Sequence, residues 1–91
     1  MDGRARVARN VRRLRVTVGL SQEALAVDAG LDRTYVSRIE RNLENPTVDT
    51  LEKVAKALGV DLVDLVADAP ASREHAPTLR PGRKPAVKKR Q

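Results

Sequence analysis

The chain has 91 residues, 41% of them hydrophobic but only Tyr35 aromatic, with no cysteine and a formal net charge of +6. A chain of this length buries one modest core, so a single folded domain with tails is expected. Lack of cysteine excludes disulfides, thiolate metal ligands and a cysteine nucleophile and fits a cytoplasmic setting, and no apolar run approaches the roughly 18–20 residues that span a bilayer.

The charge is unevenly placed. Residues 69–91 hold seven Lys/Arg against Glu74 alone, whereas residues 1–68 hold eleven basic and eleven acidic residues. Within that neutral part the arginines cluster locally: Arg4, Arg6, Arg9, Arg12, Arg13 and Arg15 in one stretch, Arg33, Arg38 and Arg41 in another. Such clusters are a footprint of nucleic-acid binding, and taken alone they fit a solvated face equally well.

In chain order, Val7, Val11, Leu14 and Val18 fall at i, i+4, i+7 and i+11, the apolar stripe of a first helix that Gly19 ends. Ser21 is a good N-cap for a short second helix with Leu25, Ala26 and Ala29 inward, broken by Gly30. Asp32 is placed to cap a third helix with Val36 and Ile39 facing the core. Two short helices meeting across a glycine turn at about residues 21–41 give the helix-turn-helix layout.

Asn42 to Pro46 form a polar loop, because the proline cannot continue the third helix. Thr47 then caps a fourth helix with Leu51, Val54, Ala55 and Leu58 inward, and Gly59 terminates it. Asp61 caps a fifth helix through about Ala67, with Asp64 at the third position of a capping box. Leu62, Val63, Leu65 and Val66 make this last helix more apolar than one buried face requires, so part of it is expected to meet a partner. The fold expected is all-α, a compact five-helix bundle. Its core of Val, Leu and Ile without Phe or Trp suggests modest stability and some dependence on dimerisation.

After Asp68 the composition changes. Pro70, Pro77, Pro81, Pro85 and Gly82 alternate with basic residues, and Leu79 and Val87 are the only large apolar side chains. Such a segment cannot bury enough surface to offset its chain entropy, so residues 69–91 are expected to be a disordered basic tail following a domain at 1–68.

At this point the sequence resembles the helix-turn-helix regulators of the Cro and phage-repressor type, from about Val7 to Leu65. The resemblance is carried by Leu14-Arg15, Gly19 to Ala26, Gly30-Leu31, Val36 to Arg41, Asn45-Pro46-Thr47 and Ala55 to Val60. Leu31 to Ser37 is also similar to the controller proteins of restriction-modification systems. One departure is Asn42, where the family usually has glycine; Asn is among the few residues that tolerate a left-handed backbone there. The resemblance implies that Arg15 pairs with Glu40, and an arginine and a glutamate each beside an apolar stripe fit a partly buried ion pair.

If Asp32 caps the third helix, Arg33, Thr34, Ser37 and Arg38 lie away from its core-facing side and are the candidates for reading base edges in a major groove. Arginine forks onto guanine O6 and N7, and threonine meets a base edge or a thymine methyl. Gln22, Tyr35, Arg41 and Asn42 are better suited to phosphates, with packing an equal alternative for Tyr35. One short helix makes few base contacts, so a homodimer on a pseudo-palindrome of double-stranded DNA is expected, joined through the fourth and fifth helices at Leu62, Val63 and Val66. The tail's Lys and Arg would add salt-sensitive affinity without sequence preference.

The alternative is an antitoxin-like or other partner-binding module that uses DNA binding for autoregulation. RNA binding fits less well, since stacking aromatics other than Tyr35 are missing. An enzyme fits least: His75 stands alone in the tail and there is no Gly-rich phosphate loop, so no catalytic residue, cofactor or metal is expected.

Overall fold

The computed structural model describes residues 2–68 and contains five helices, with no strand among the described residues. They are α1 Gly3–Val18, α2 Gln22–Ala29, α3 Arg33–Glu40, α4 Val48–Leu58 and α5 Leu62–Val66. The basic tail lies outside the described residues.

Local chemistry accounts for the starts of these helices. Asp2 accepts the backbone N–H of Ala5 at 2.8 Å, Ser21 that of Ala24 at 3.0 Å and Thr47 that of Thr50 at 3.1 Å, each satisfying a donor that the first turn leaves open. Asp64 accepts the N–H of Asp61 at 3.0 Å, the reach-back half of the expected capping box. Asp32 takes the N-cap position of α3 in extended backbone, but its side chain caps no N–H. The expected position holds and the expected hydrogen bond does not. Asp2 was not legible as a cap, because the apolar stripe begins only at Val7 and leaves the first turn without periodicity.

Four helix ends share one construction. After α1, α2 and α4 a glycine in the left-handed region turns the chain back: Gly19, Gly30 and Gly59, at φ 90°, 70° and 73°. After α3 the same place is held by Asn42 at φ 61°. In each case the N–H beyond the left-handed residue reaches five residues back: Leu20 to Arg15 at 3.0 Å, Leu31 to Ala26 at 2.8 Å, Leu43 to Arg38 at 2.9 Å, Val60 to Ala55 at 3.0 Å. This is the Schellman arrangement, which satisfies carbonyls left open by the last turn and places an apolar residue just beyond it. Leu20, Leu31 and Val60 accordingly fold down onto the core, whereas Leu43 is exposed.

The core joins all five helices. Val7 and Val11 of α1, Leu25 and Ala26 of α2, Val36 and Ile39 of α3, Leu51, Val54, Ala55 and Leu58 of α4, and Leu65 of α5 form one buried cluster. α1 runs across α3, α4 and α5, and α2 packs on α3 and α4. The apolar stripes of α2, α3 and α4 are therefore those expected from periodicity, but that of α1 is shorter. Val18 is exposed, and Leu20, returned by the left-handed Gly19, packs on the core in its place.

One buried group interrupts the apolar stripe of α1. Asn10 has no solvent exposure, and its Nδ2 donates to the carbonyls of Leu65 and Ala67, both at 3.0 Å. These carbonyls lie at the end of α5, a helix too short to satisfy them itself, so Asn10 staples α5 to α1.

Candidate nucleic-acid interface

α3 is the element on which the candidate residues converge. Its Val36 and Ile39 are buried, and this fixes the rotation of the helix about its axis. Arg33 and Thr34 in the first turn are exposed, and Ser37 and Arg38 lie one turn further on, half-exposed. At spacings of four, Arg33 stacks over Ser37 and Thr34 over Arg38 on the helix surface, so the four side chains share one face. Tyr35 points elsewhere: it is half-buried and packs against the core cluster. Arg41 and Asn42 are exposed just past the helix end.

A partly buried ionic cluster holds α3 in place relative to α1 and α2. Arg15 Nε donates to Glu40 Oε2 at 2.6 Å and Arg15 Nη2 to Oε1 at 3.1 Å, a two-bond fork; Arg15 Nη1 donates to the Leu20 carbonyl at 2.8 Å. Gln22 Nε2, from the first turn of α2, donates to the same Glu40 Oε1 at 3.1 Å. The two side chains are 14% and 3% exposed, so the charges are largely out of water, and the geometry compensates for that with every bond it makes. The hydrogen bonds that Arg15 donates to Glu40 raise the Arg15 pKa above its ordinary value and outweigh the opposing effect of burial. A raised cation pKa stabilises the fold below the unfolded value and is lost only as pH climbs through the higher folded one. Arg15 therefore stays charged throughout the neutral range.

The pairing of Arg15 with Glu40 agrees with the resemblance, and the engagement of Gln22 adds to it. Gln22 spends its amide nitrogen on Glu40, so whatever it offers a phosphate must come with that bond kept or exchanged. A second ion pair lies at the far end of α3. Arg38 Nε donates to Glu44 Oε2 at 2.6 Å and Arg38 Nη2 to the Leu43 carbonyl at 3.2 Å, folding the side chain over the loop that leads to α4. Sequence reasoning missed Glu44, since six residues and a loop separate it from Arg38 and no helical spacing links them. It missed Asn10 although a signal exists: Asn10 is three residues from Val7 and four from Leu14, a polar residue standing on an apolar stripe.

The expected partner surface on α5 divides in two. Leu62 packs partly against its own core, while Val63 and Val66 are 59% and 41% exposed. Among the described residues no group of acids, histidines and cysteines is arranged to hold a metal ion, and no helix is long and apolar enough to cross a membrane.

Two eight-residue helices fixed across a left-handed glycine turn, the second exposing an arginine- and threonine-bearing face over a buried Val–Ile stripe, define a helix-turn-helix protein. The family model described as "Helix-turn-helix" (HTH_3) matches residues 11–65, and the chain belongs to this family of DNA-binding regulators of the Cro and phage-repressor type. A hypothetical transcription factor of Neisseria meningitidis is 51% identical over 65 residues, covering 71% of this chain and 61% of that protein. The chain thus spans less than two thirds of that relative's sequence. The crystal structure of the Neisseria factor superposes with a TM-score of 0.73 at 48% identity, covering 78% of this chain and 80% of the crystallised one. The control protein C.BamHI of Bacillus amyloliquefaciens is 47% identical over 57 residues, 62% of this chain and 70% of its own length. The restriction-modification controller protein C.AhdI of Aeromonas hydrophila has a TM-score of 0.66 at 39% identity, covering 68% of this chain and 94% of that one.

Proposed function

We propose that the protein is a sequence-specific transcriptional regulator that binds double-stranded DNA as a homodimer on a pseudo-palindromic operator, with α3 in the major groove. The observation that carries this reading is the face of α3, where Arg33, Thr34, Ser37 and Arg38 stand together on a helix whose rotation is fixed by Val36, Ile39 and Glu40. Preorganised side chains at one turn's spacing match the geometry by which such a helix reads adjacent base edges. Arg33 and Arg38 supply guanine-directed forks, and Thr34 and Ser37 supply shorter polar contacts. Arg41 and Asn42, exposed past the end of α3, serve phosphates and set register, as do Gln22 of α2, with its bond to Glu40 kept or exchanged, and the exposed part of Tyr35.

The dimer forms through α4 and α5, with Val63 and Val66 as the apolar contact and Leu62 supporting them from the core. Exposed valines on a five-residue helix that is itself stapled to α1 give a defined surface for a second copy. Residues 69–91 add affinity without sequence preference, and the protein works in the cytoplasm.

The test is selection of bound duplexes from a randomised pool at near-physiological salt, followed by sequencing. Enrichment of a two-fold symmetric site carrying guanine in each half supports the reading and gives the half-site spacing. Retention without enrichment refutes sequence-specific reading and turns attention to the partner-binding alternative.

A further inference from the structure

The end of α3 differs from the other left-handed ends in how its loop is held. After α1, α2 and α4 the residue beyond the turn packs on the core, but Leu43 does not. The loop is held by a polar clamp in its place: Arg38 reaches over it to Glu44 and to the Leu43 carbonyl. The same arginine stands on the face of α3 assigned to base reading, so a loop carboxylate orients one of the candidate reading groups.

The atoms used are informative. A guanidinium offers five N–H donors in a rigid fork. Glu44 takes Nε and the Leu43 carbonyl takes one donor of Nη2, and among the described residues Nη1 has no partner. The edge formed by Nη1 and the second N–H of Nη2 remains open, and that edge suffices for a two-bond contact with guanine O6 and N7. The pair is also partly wet, at 43% and 28% side-chain exposure, so it is neither a core element nor a freely solvated contact. An acid at this position also repels phosphates that approach Arg38 without the fit of a cognate base, since like charges close together are unfavourable.

We propose that Glu44 is a specificity-determining positioning residue that holds the Arg38 guanidinium for end-on contact with guanine and disfavours its use as a phosphate-binding point charge. The inference rests on the DNA-reading assignment of α3. Freed from Glu44, Arg38 samples many rotamers and meets phosphates of any sequence. Specific binding then weakens while binding to random duplex strengthens, and the ratio between them falls from both sides.

The experiment compares the full chain with Glu44→Gln, Arg38→Ala and the double variant, each verified as folded by circular dichroism. Affinity is measured for the selected operator and for a random duplex of equal length over a salt series. Glu44→Gln is expected to lower the specific-to-random ratio by about tenfold and to steepen the salt dependence on random duplex by up to one released counterion per subunit. In the Arg38→Ala background the same change should move the ratio by less than about twofold, the coupling that a merely structural or general charge effect lacks. An unchanged ratio in Glu44→Gln, or an equal fall in both backgrounds, overturns the positioning role while leaving DNA reading intact. A wild-type protein with no preference for any duplex overturns both.

Discussion

Replacing Asn10 by leucine tests how the smallest helix is retained. Leucine keeps the branch point and heavy-atom count of the asparagine side chain, though with bulkier methyl groups, but removes the Nδ2 donors, leaving the carbonyls of Leu65 and Ala67 without the partner they now share. An unsatisfied buried polar group costs about 1–3 kcal/mol. The Leu65 bond is buried and the Ala67 bond only partly so, which lets water compensate the second, and the sum comes to about 2–3 kcal/mol. A folded unit of this size has a total stability of roughly 3–10 kcal/mol, so the loss is a large share of it. Urea unfolding followed by circular dichroism should show a lower midpoint at unchanged slope, and amide exchange should quicken first in α5. A loss below about 0.5 kcal/mol, or exchange that quickens evenly over all five helices, would refute the idea that Asn10 specifically anchors α5. Since α5 carries Val63 and Val66, weaker dimerisation should accompany the loss.

Three further outcomes follow from the structure. Asn42→Val places a β-branched residue at φ 61° and should cost about 1–2 kcal/mol by thermal unfolding, whereas Asn42→Gly should stay within about 0.5 kcal/mol of the parent. Val63→Lys, on an exposed side chain, should leave the monomer fold intact by circular dichroism while shifting sedimentation from dimer to monomer; a persisting dimer would place the contact elsewhere. Arg33→Ala should weaken operator binding by about 1–3 kcal/mol and broaden base choice at one position per half-site in a repeated pool selection, whereas loss of a phosphate contact would weaken all duplexes alike.

Much of the fold was legible because the determinants are local. Apolar spacings of three and four located α2, α3 and α4 with their buried faces, and Ser21, Thr47, Gly30 and Gly59 marked their ends through cap hydrogen bonds and left-handed turns that depend only on nearby backbone. Asn42 was legible as a residue that tolerates a left-handed backbone only through the resemblance, which has glycine at that place, and its φ is 61°. The grouping of Arg33, Thr34, Ser37 and Arg38 on one face needs only helical periodicity and knowledge of which side is buried.

What tertiary structure alone decided lies between segments distant in sequence. Whether Val18 or Leu20 packs on the core is decided by the chain reversal at Gly19 and by what surrounds the end of α1, which no periodicity in α1 records. Asn10 has its reason fifty-five residues away, at carbonyls that are open because α5 is only five residues long. Glu44 becomes significant only when the loop after α3 folds back on Arg38, and Gln22 only when α2 meets Glu40. Hydrogen bonds and ion pairs act over a few ångströms of space, so sequence specifies them only through the packing that brings their partners together.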